Sequence, residues 1–147
     1  MRVRQRGFVL IGMGVSMLLM LTFLGLAFDF GRIYIARNET QLFTDAAAMA
    51  AASKLDGSDG SIAKARAAVE RLPNRWNLGS KKFTGVVVEF SADGHSWAEA
   101  PDGASYARVT APSNDMDIMF LRAVGGPETL TVPARSVAAA DPVRLVQ

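Results

Sequence analysis

The sequence contains no cysteine and a single histidine, His95. Without cysteine the chain has no disulfide, no thiolate metal site and no cysteine nucleophile. His95 lies in a predicted turn, and the sequence offers no recognisable partner that would orient it as a base, which favours a structural role. Phosphate-binding glycine loops and the HExxH and GxSxG motifs are absent too. The sequence therefore predicts no catalytic residue, no metal, no cofactor and a protein that is not an enzyme.

An excess of positive charge is found only at the N-terminus. Arg2, Arg4 and Arg6 carry three positive charges, although the whole chain has a net charge of only +2. The 13 basic residues that follow face 14 acidic ones, so the rest of the chain is close to neutral. The alkaline pI of about 9.3 therefore comes from the N-terminal tip. No basic face is left to recruit nucleic acid, and no nucleic-acid partner is predicted.

An uncharged run occupies positions 8–28, where Ser16 and Thr22 are the polar side chains. As a helix these 21 residues would measure about 32 Å, close to the roughly 30 Å of a bilayer's hydrocarbon core. The run is longer than a signal-peptide core and is not followed by a small-x-small cleavage site. We therefore expect a retained transmembrane helix in contact with membrane lipid. Gly12 and Ser16 have the small-xxx-small spacing of helix packing, although both could simply be tolerated there.

The flanking charges predict the orientation of this helix. The three arginines precede the run, whereas Arg32 and Arg37 are balanced by Asp29 and Glu39 after it. The positive-inside rule then leaves residues 1–7 as a basic cytoplasmic leader. A stalk helix over 29–55 and a small domain over 56–147 are predicted to be extracytoplasmic.

Helical periodicity continues beyond the membrane. Phe28, Ile35, Leu42 and Met49 recur every seven residues and form one apolar stripe, which we expect to pack against the sheet or a partner. The alanine-rich stretch 45–55 favours helix, and Asp56-Gly57 predicts its end. Asp29 either pairs with Arg32 on the helix surface or contacts the helix of a partner subunit.

The remaining residues predict an α+β fold with a small antiparallel sheet and short helices. A helix is expected over 62–72, and strands over 86–90, 105–111 and 128–140, with Pro133 at an edge or a bulge. Residues 113–117 resemble a capped helix start, and the segment 116–124 is predicted to be helical up to Gly125-Gly126. The whole is a long N-terminal helix followed by a small domain, a pilin-like architecture.

The stretch "RQRGFVLIGM" resembles the prepilin signature, in which a basic leader ends in glycine and is followed by phenylalanine and an apolar helix. That resemblance implies cleavage between Gly7 and Phe8 by a prepilin peptidase. The sequence departs from the pattern at Gly12, where type IV pilins usually carry glutamate.

A second stretch, "LAFDFGRIYIARNETQLFTDAAAMAAASKL", is similar to the N-terminal segment of TadE/TadG-like proteins of Flp (tight-adherence) pilus assembly. Residues 106–140 also resemble the extracytoplasmic part of those proteins. The positions that match the N-terminal pattern are Asp29, Gly31, Arg32, Tyr34, Ala36, Arg37, Gln41, Asp45 and the alanines between 46 and 52.

These resemblances imply a non-catalytic pilus-assembly protein or minor pseudopilin of an Flp/Tad-type pilus or secretion system, anchored in the bacterial inner membrane. Its expected partners are other pilus subunits and an inner-membrane secretion platform. The alternative is a standalone single-pass envelope protein whose outer module binds a ligand or regulates a complex. The residues expected to contact partners are Gly12, Ser16, Asp29, Arg32, Tyr34, Ile35, Leu42, Asp45 and Met49.

Overall fold

The computed structural model describes residues 6–58, 60–112 and 114–140. Its dominant element is helix α1, Arg6–Ala52, which has 47 residues and is roughly 70 Å long. The hydroxyl groups of Thr22 and Thr40 donate to the carbonyl oxygens four residues earlier, so both are satisfied within the helix. The helix ends three residues before the predicted Leu55, and Gly57 takes a positive φ of 76° in the turn that follows. Apart from residues 6 and 7, the predicted leader lies outside the described residues.

The small domain consists of a second helix and two antiparallel sheets. Helix α2 spans Ser61–Glu70, close to the prediction. Strands β1 (Val87–Ser91), β2 (Tyr106–Ala111) and β5 (Ala134–Ala139) form a three-stranded sheet in the order β1-β2-β5. Strands β3 (Asp115–Asp117) and β4 (Thr129–Thr131) form a separate ribbon. The predicted α+β class, with a long N-terminal helix and a small antiparallel sheet, is confirmed.

The predicted helix over 116–124 is wrong. Ser113, the first residue of its expected capped start, lies outside the described residues. Met116 is fully buried in β3, and Asp115 and Asp117 pair with Thr131 and Thr129 across the ribbon. Only Leu121–Val124 is helical, as a single 3₁₀ turn. Alternating burial along β3 suits a strand, and pairing with β4 outweighed the local helix-start signal.

The predicted long strand over 128–140 is divided into β4 and β5. Pro133 lies between them and has no backbone N–H to donate to a ladder. The chain therefore changes partners at this point: β4 pairs with β3, and β5 pairs with β2 at the edge of the main sheet.

The outer half of α1 carries the domain on a face of small side chains. Strands β5 and β2 and helix α2 pack against it. A side chain of alanine size lets a sheet approach a helix closely, and larger apolar residues from the domain fill the remaining volume. The buried helix residues on this face include Ala36, Thr40, Phe43, Thr44, Ala47, Ala48, Ala51 and Ala52.

The expectation that the heptad stripe packs against the sheet is wrong. Phe28, Leu42 and Met49 are each more than half exposed, and Ile35 is 39% exposed. The sheet packs instead on the alanine face, because small side chains bring it closer to the helix axis than a stripe of leucine and methionine would. Ile35, Leu42 and Met49 thus lie largely on the open side of the helix, whereas Phe28 packs against the ring of Phe120.

Candidate functional site

Helix α1 holds the domain through carboxylates that bind backbone N–H groups of distant loops. Asp29 is 1% exposed and accepts hydrogen bonds from the N–H groups of Met119, Phe120 and Leu121, at 3.1, 2.7 and 2.6 Å. These three donors lead into the 3₁₀ turn, so Asp29 acts as a cap supplied from another element. The predicted surface ion pair with Arg32 is not what satisfies this carboxylate in the described part of the chain. Contact between Asp29 and a partner's helix stays a prediction.

Arg32 and Gly25 complete the same junction. The Arg32 guanidinium donates to the carbonyl oxygen of Asp117 at 3.1 Å and lies 6.0 Å from the centre of the Phe28 ring. The ring of Phe120 packs edge-on against Phe28, with centroids 5.8 Å apart. It also lies so close to Gly25 that a Cβ there would come within 2.8 Å of the Phe120 side chain. The absence of a side chain at Gly25 therefore makes room for Phe120.

A second polar junction joins the middle of the stalk to β5. Asp45 accepts hydrogen bonds from Gln41 at 2.9 Å and from the hydroxyl of Ser136 at 2.5 Å. The Thr44 and Ser136 hydroxyls are 2.8 Å apart. Asp45, like Asp29, is thus used within the chain to hold the domain on the helix.

Glu39 makes a third junction that the sequence did not predict. Its carboxylate accepts from the N–H groups of Asn77 and Leu78. Both loop residues have positive φ, 54° and 57°, a conformation that non-glycine residues adopt rarely. Leu78 nevertheless leaves its side chain 73% exposed. No local sequence signal marks this loop, because the stabilising carboxylate comes from 38 residues away.

The other predicted contact residues are exposed for the most part. Tyr34 is 68% exposed, and with Leu42 and Met49 it faces outward. In the uncharged run Gly12 and Ser16 are exposed, and a Cβ at Gly12 would meet no atom within 4 Å. Gly7 and Phe8 lie in the first turns of α1, and Phe8 is 82% exposed. One helix of the described chain, Gly7–Ala52, is long and apolar enough to cross a membrane.

The turn that contains His95 is held by Asp93. Its carboxylate accepts from the N–H groups of His95 and Ser96, both at 2.8 Å, and these bonds hold the Asp93 pKa well below its usual range. This agrees with a structural role for His95. Within residues 6–58, 60–112 and 114–140, no group of three or more His, Asp or Glu side chains is arranged to hold a metal ion.

Residues 7–54 match the family model Tad, described as "Putative Flp pilus-assembly TadE/G-like". The long helix is thus similar to the TadE/G-like family of putative Flp pilus-assembly proteins. The match covers about a third of the chain. It includes the α1 residues of all three helix–domain junctions, namely Asp29, Glu39 and Asp45. Searches of curated proteins and of solved structures found no match to the chain. The likeness of residues 106–140 to TadE/TadG proteins stays a prediction.

The structure shows what the residues that match the TadE/G-like pattern do in this chain. Asp29, Arg32, Gln41 and Asp45 bind the chain's own domain, whereas Tyr34 faces outward. Sequence reasoning missed Ser136, the partner of Asp45. The signal was present in the alternation of small residues along 134–138, since Ser136 is buried while its neighbours Arg135 and Val137 are exposed.

Proposed function

We propose that the protein is a non-catalytic pilus-assembly protein or minor pseudopilin of an Flp/Tad-type system, anchored in the inner membrane. The observation that carries this proposal is the match of residues 7–54 to the TadE/G-like family. The family supports an assembly role rather than an enzymatic one. In the proposed arrangement residues 8–28 cross the bilayer, and the domain over 56–147 lies on the extracytoplasmic side.

The exposure of α1 supports membrane anchoring. The large apolar residues from Phe8 to Leu24 are all more than half exposed, so the domain leaves this half of the helix uncovered. A stretch of 17 residues, 13 of them large and apolar, without a protein cover suits a lipid environment and would be costly in water. The domain packs only from Gly25 onwards, which divides the helix into a lipid-facing half and a domain-bearing half. Arg2, Arg4 and Arg6 support a cytoplasmic N-terminus.

The exposed stripe provides a surface for other subunits. Ile35, Leu42 and Met49 lie along the side of the stalk that the domain leaves open, and their seven-residue period suits packing along a second helix. Leu78 extends this surface, because its N–H donates to Glu39, three residues before Leu42. Together Ile35, Leu42, Met49 and Leu78 form what we call the stalk face. In the membrane, Gly12 and Ser16 are available to a neighbouring helix in the same way.

Processing by a prepilin peptidase is part of the proposal. Edman sequencing or intact mass of protein isolated from membranes would give the mature N-terminus. A start at Phe8 would support cleavage after Gly7. An intact Met1 would exclude that step and leave an unprocessed assembly protein.

The decisive experiment locates the full-length protein in cells that produce the pilus. Sheared surface filaments and inner membranes are collected separately and probed for the protein, with a C-terminal phosphatase fusion to report the side of the membrane. Recovery in filaments supports a pseudopilin. Retention in the inner membrane with the secretion platform supports an assembly factor. A protein found with neither, in cells whose filaments are unchanged by its deletion, would be a standalone envelope protein and would overturn the proposal.

A further inference from the structure

The segment Met119–Val124 forms an apolar projection at the base of the domain, next to the end of the uncharged run. Met119, Phe120 and Val124 are 56%, 47% and 56% exposed, although they belong to a folded domain. We call these three residues the apolar foot. Such a cluster on the surface of a small domain marks a contact with something apolar.

The position of the foot along α1 relates it to the bilayer. Phe120 packs on Gly25, which lies four residues before Asp29 and inside the uncharged run. If residues 8–28 fill the hydrocarbon core, Gly25 lies about 5 Å from its outer edge, given 1.5 Å per residue. The foot therefore reaches the level of the outermost acyl-chain carbons. A groove of about 380 Å³ between foot and helix is lined by Leu21, Leu24, Gly25, Phe28, Met119 and Phe120.

The backbone of this segment is suited to a poorly hydrated environment. Irregular backbone enters a lipid layer only when its polar groups are satisfied internally. Asp29 accepts the N–H groups of Met119, Phe120 and Leu121. Further N–H groups in this segment are also satisfied, since those of Ile118, Ala123, Gly125 and Gly126 bond to the carbonyl oxygens of Glu128, Phe120, Arg122 and Leu121 respectively.

The charges near the foot lie where the headgroups would be. Arg122 lies in the same segment and is paired with Glu128 at 3.5 Å, and its side chain is 56% exposed. Arg32 sits one turn beyond Phe28 on α1. Arginine side chains commonly extend from an apolar surface to the lipid phosphates. An apolar tip with a basic border is the pattern of a segment that lies in a membrane interface.

We infer that the apolar foot inserts into the outer leaflet of the membrane, so that the domain rests on the lipid surface beside its own helix. This inference rests on the membrane anchoring of the proposed function. The occupant of the groove is lipid, because the groove is continuous with the exposed apolar surface of the span. A domain fixed to the bilayer at two points has a defined tilt, which would set the direction in which the stalk face points.

Site-directed labelling tests this inference directly, because the chain has no native cysteine. Single cysteines are introduced as Val124→Cys in the foot, Phe23→Cys in the span and Val137→Cys on the outer side of β5. Val137 is 53% exposed and so matches Val124 in residue type and exposure. Each full-length variant carries a nitroxide and is placed in lipid nanodiscs at one copy per disc. Collision with oxygen, which concentrates in lipid, is compared with collision with a water-soluble nickel chelate.

The expected result is that the label at position 124 behaves like the label at 23, with oxygen collisions favoured several-fold over nickel, and unlike the label at 137. If position 124 behaves like 137 while position 23 reports lipid, the inference fails and the anchor stands. If position 23 is also open to nickel, the anchor itself is wrong and the inference falls with it. Protection of position 124 that appears only when discs hold two copies would assign the foot to a second subunit and overturn the lipid contact.

Discussion

Residue 29 places a carboxylate at the boundary between the uncharged run and the folded domain. A buried charge at such a place is costly unless hydrogen bonds compensate it. Three backbone N–H groups from one loop do so here, and they tie the base of the domain to α1. The aspartate therefore has a role in the monomer whatever partners the protein has.

Asp29→Ala should release the loop that begins at Met119. Three N–H groups at this partly buried junction would lose their acceptor, and we expect the free energy of unfolding to fall by about 2–3 kcal/mol. Hydrogen exchange in detergent micelles should show faster exchange of the amides of residues 119–121. Asp29→Asn should lose less, because one carbonyl oxygen remains. Asp102→Ala, at an exposed aspartate, is the control. Unchanged protection of these three amides in Asp29→Ala would contradict the capping role.

Gly25 and Phe120 should be energetically coupled. A methyl group at position 25 overlaps the Phe120 side chain, so Gly25→Ala should destabilise the junction by about 1–2 kcal/mol in the wild-type background. In a Phe120→Ala background the same change should cost less, because the overlapping ring atoms Cγ and Cδ1 are gone and only the Cβ of residue 120 remains close. A double-mutant cycle by thermal unfolding in micelles measures the coupling. Equal effects of Gly25→Ala in both backgrounds would show that the close approach is unimportant.

At the scale of the element, α1 uses different sides for different purposes. The alanine face binds the domain, the stalk face is open, and the first half is apolar all round. A helix of this length has room for these separate surfaces because 3.6 residues per turn distribute its side chains evenly around the axis.

Substitutions on the exposed side and on the buried side of the stalk should have different consequences. Leu42→Asp and Met49→Asp lie on the exposed side and should change the free energy of unfolding by less than about 0.5 kcal/mol. Both should weaken recovery of pilus components with the protein. Ala47→Asp buries an unpaired charge and should cost more than about 3 kcal/mol. Chemical denaturation measures the free energy of unfolding, and affinity purification measures the recovery of pilus components.

Val137→Asp serves as the control, since it makes the same kind of change at an exposed apolar position of β5 outside the stalk face. If Leu42→Asp and Met49→Asp retain their associations as well as Val137→Asp does, the stalk face is not a binding surface.

For the whole molecule, the proposed orientation of α1 in the membrane depends on three side chains at the N-terminal tip. Replacing Arg2, Arg4 and Arg6 by glutamate removes the positive flank and leaves Arg32 and Arg37 as the nearest cations. We expect a mixed or inverted population, and a several-fold loss of activity from a C-terminal phosphatase fusion. Converting three exposed cations of the domain (Lys64, Arg71 and Lys82) to glutamine should leave that activity unchanged. Equal phosphatase activity in both variants would contradict the positive-inside assignment.

Local sequence was sufficient for the elements that depend on neighbouring residues. The long helix follows from an uninterrupted apolar run and an alanine-rich tract, and α2 from its short amphipathic period. Strands β1 and β2 follow from alternation and Asp-Gly turns. The TadE/G-like resemblance was likewise legible in the residues from Asp29 to Ala52, and the family match confirms it.

Tertiary structure alone decided which side of α1 faces the domain and how the segment 114–140 is divided. Periodicity marked the leucine and methionine stripe as the packing face, but close approach to a sheet favours alanine. Met116 became part of a strand because β4, thirteen residues further on, supplies its partner. The acceptors Asp29, Glu39 and Asp45 each bind groups more than 35 residues away, and no local pattern encodes a hydrogen bond of that range. Sequence thus determined the long helix and its apolar first half. Long-range packing and hydrogen bonding determined which surfaces of the helix remain exposed.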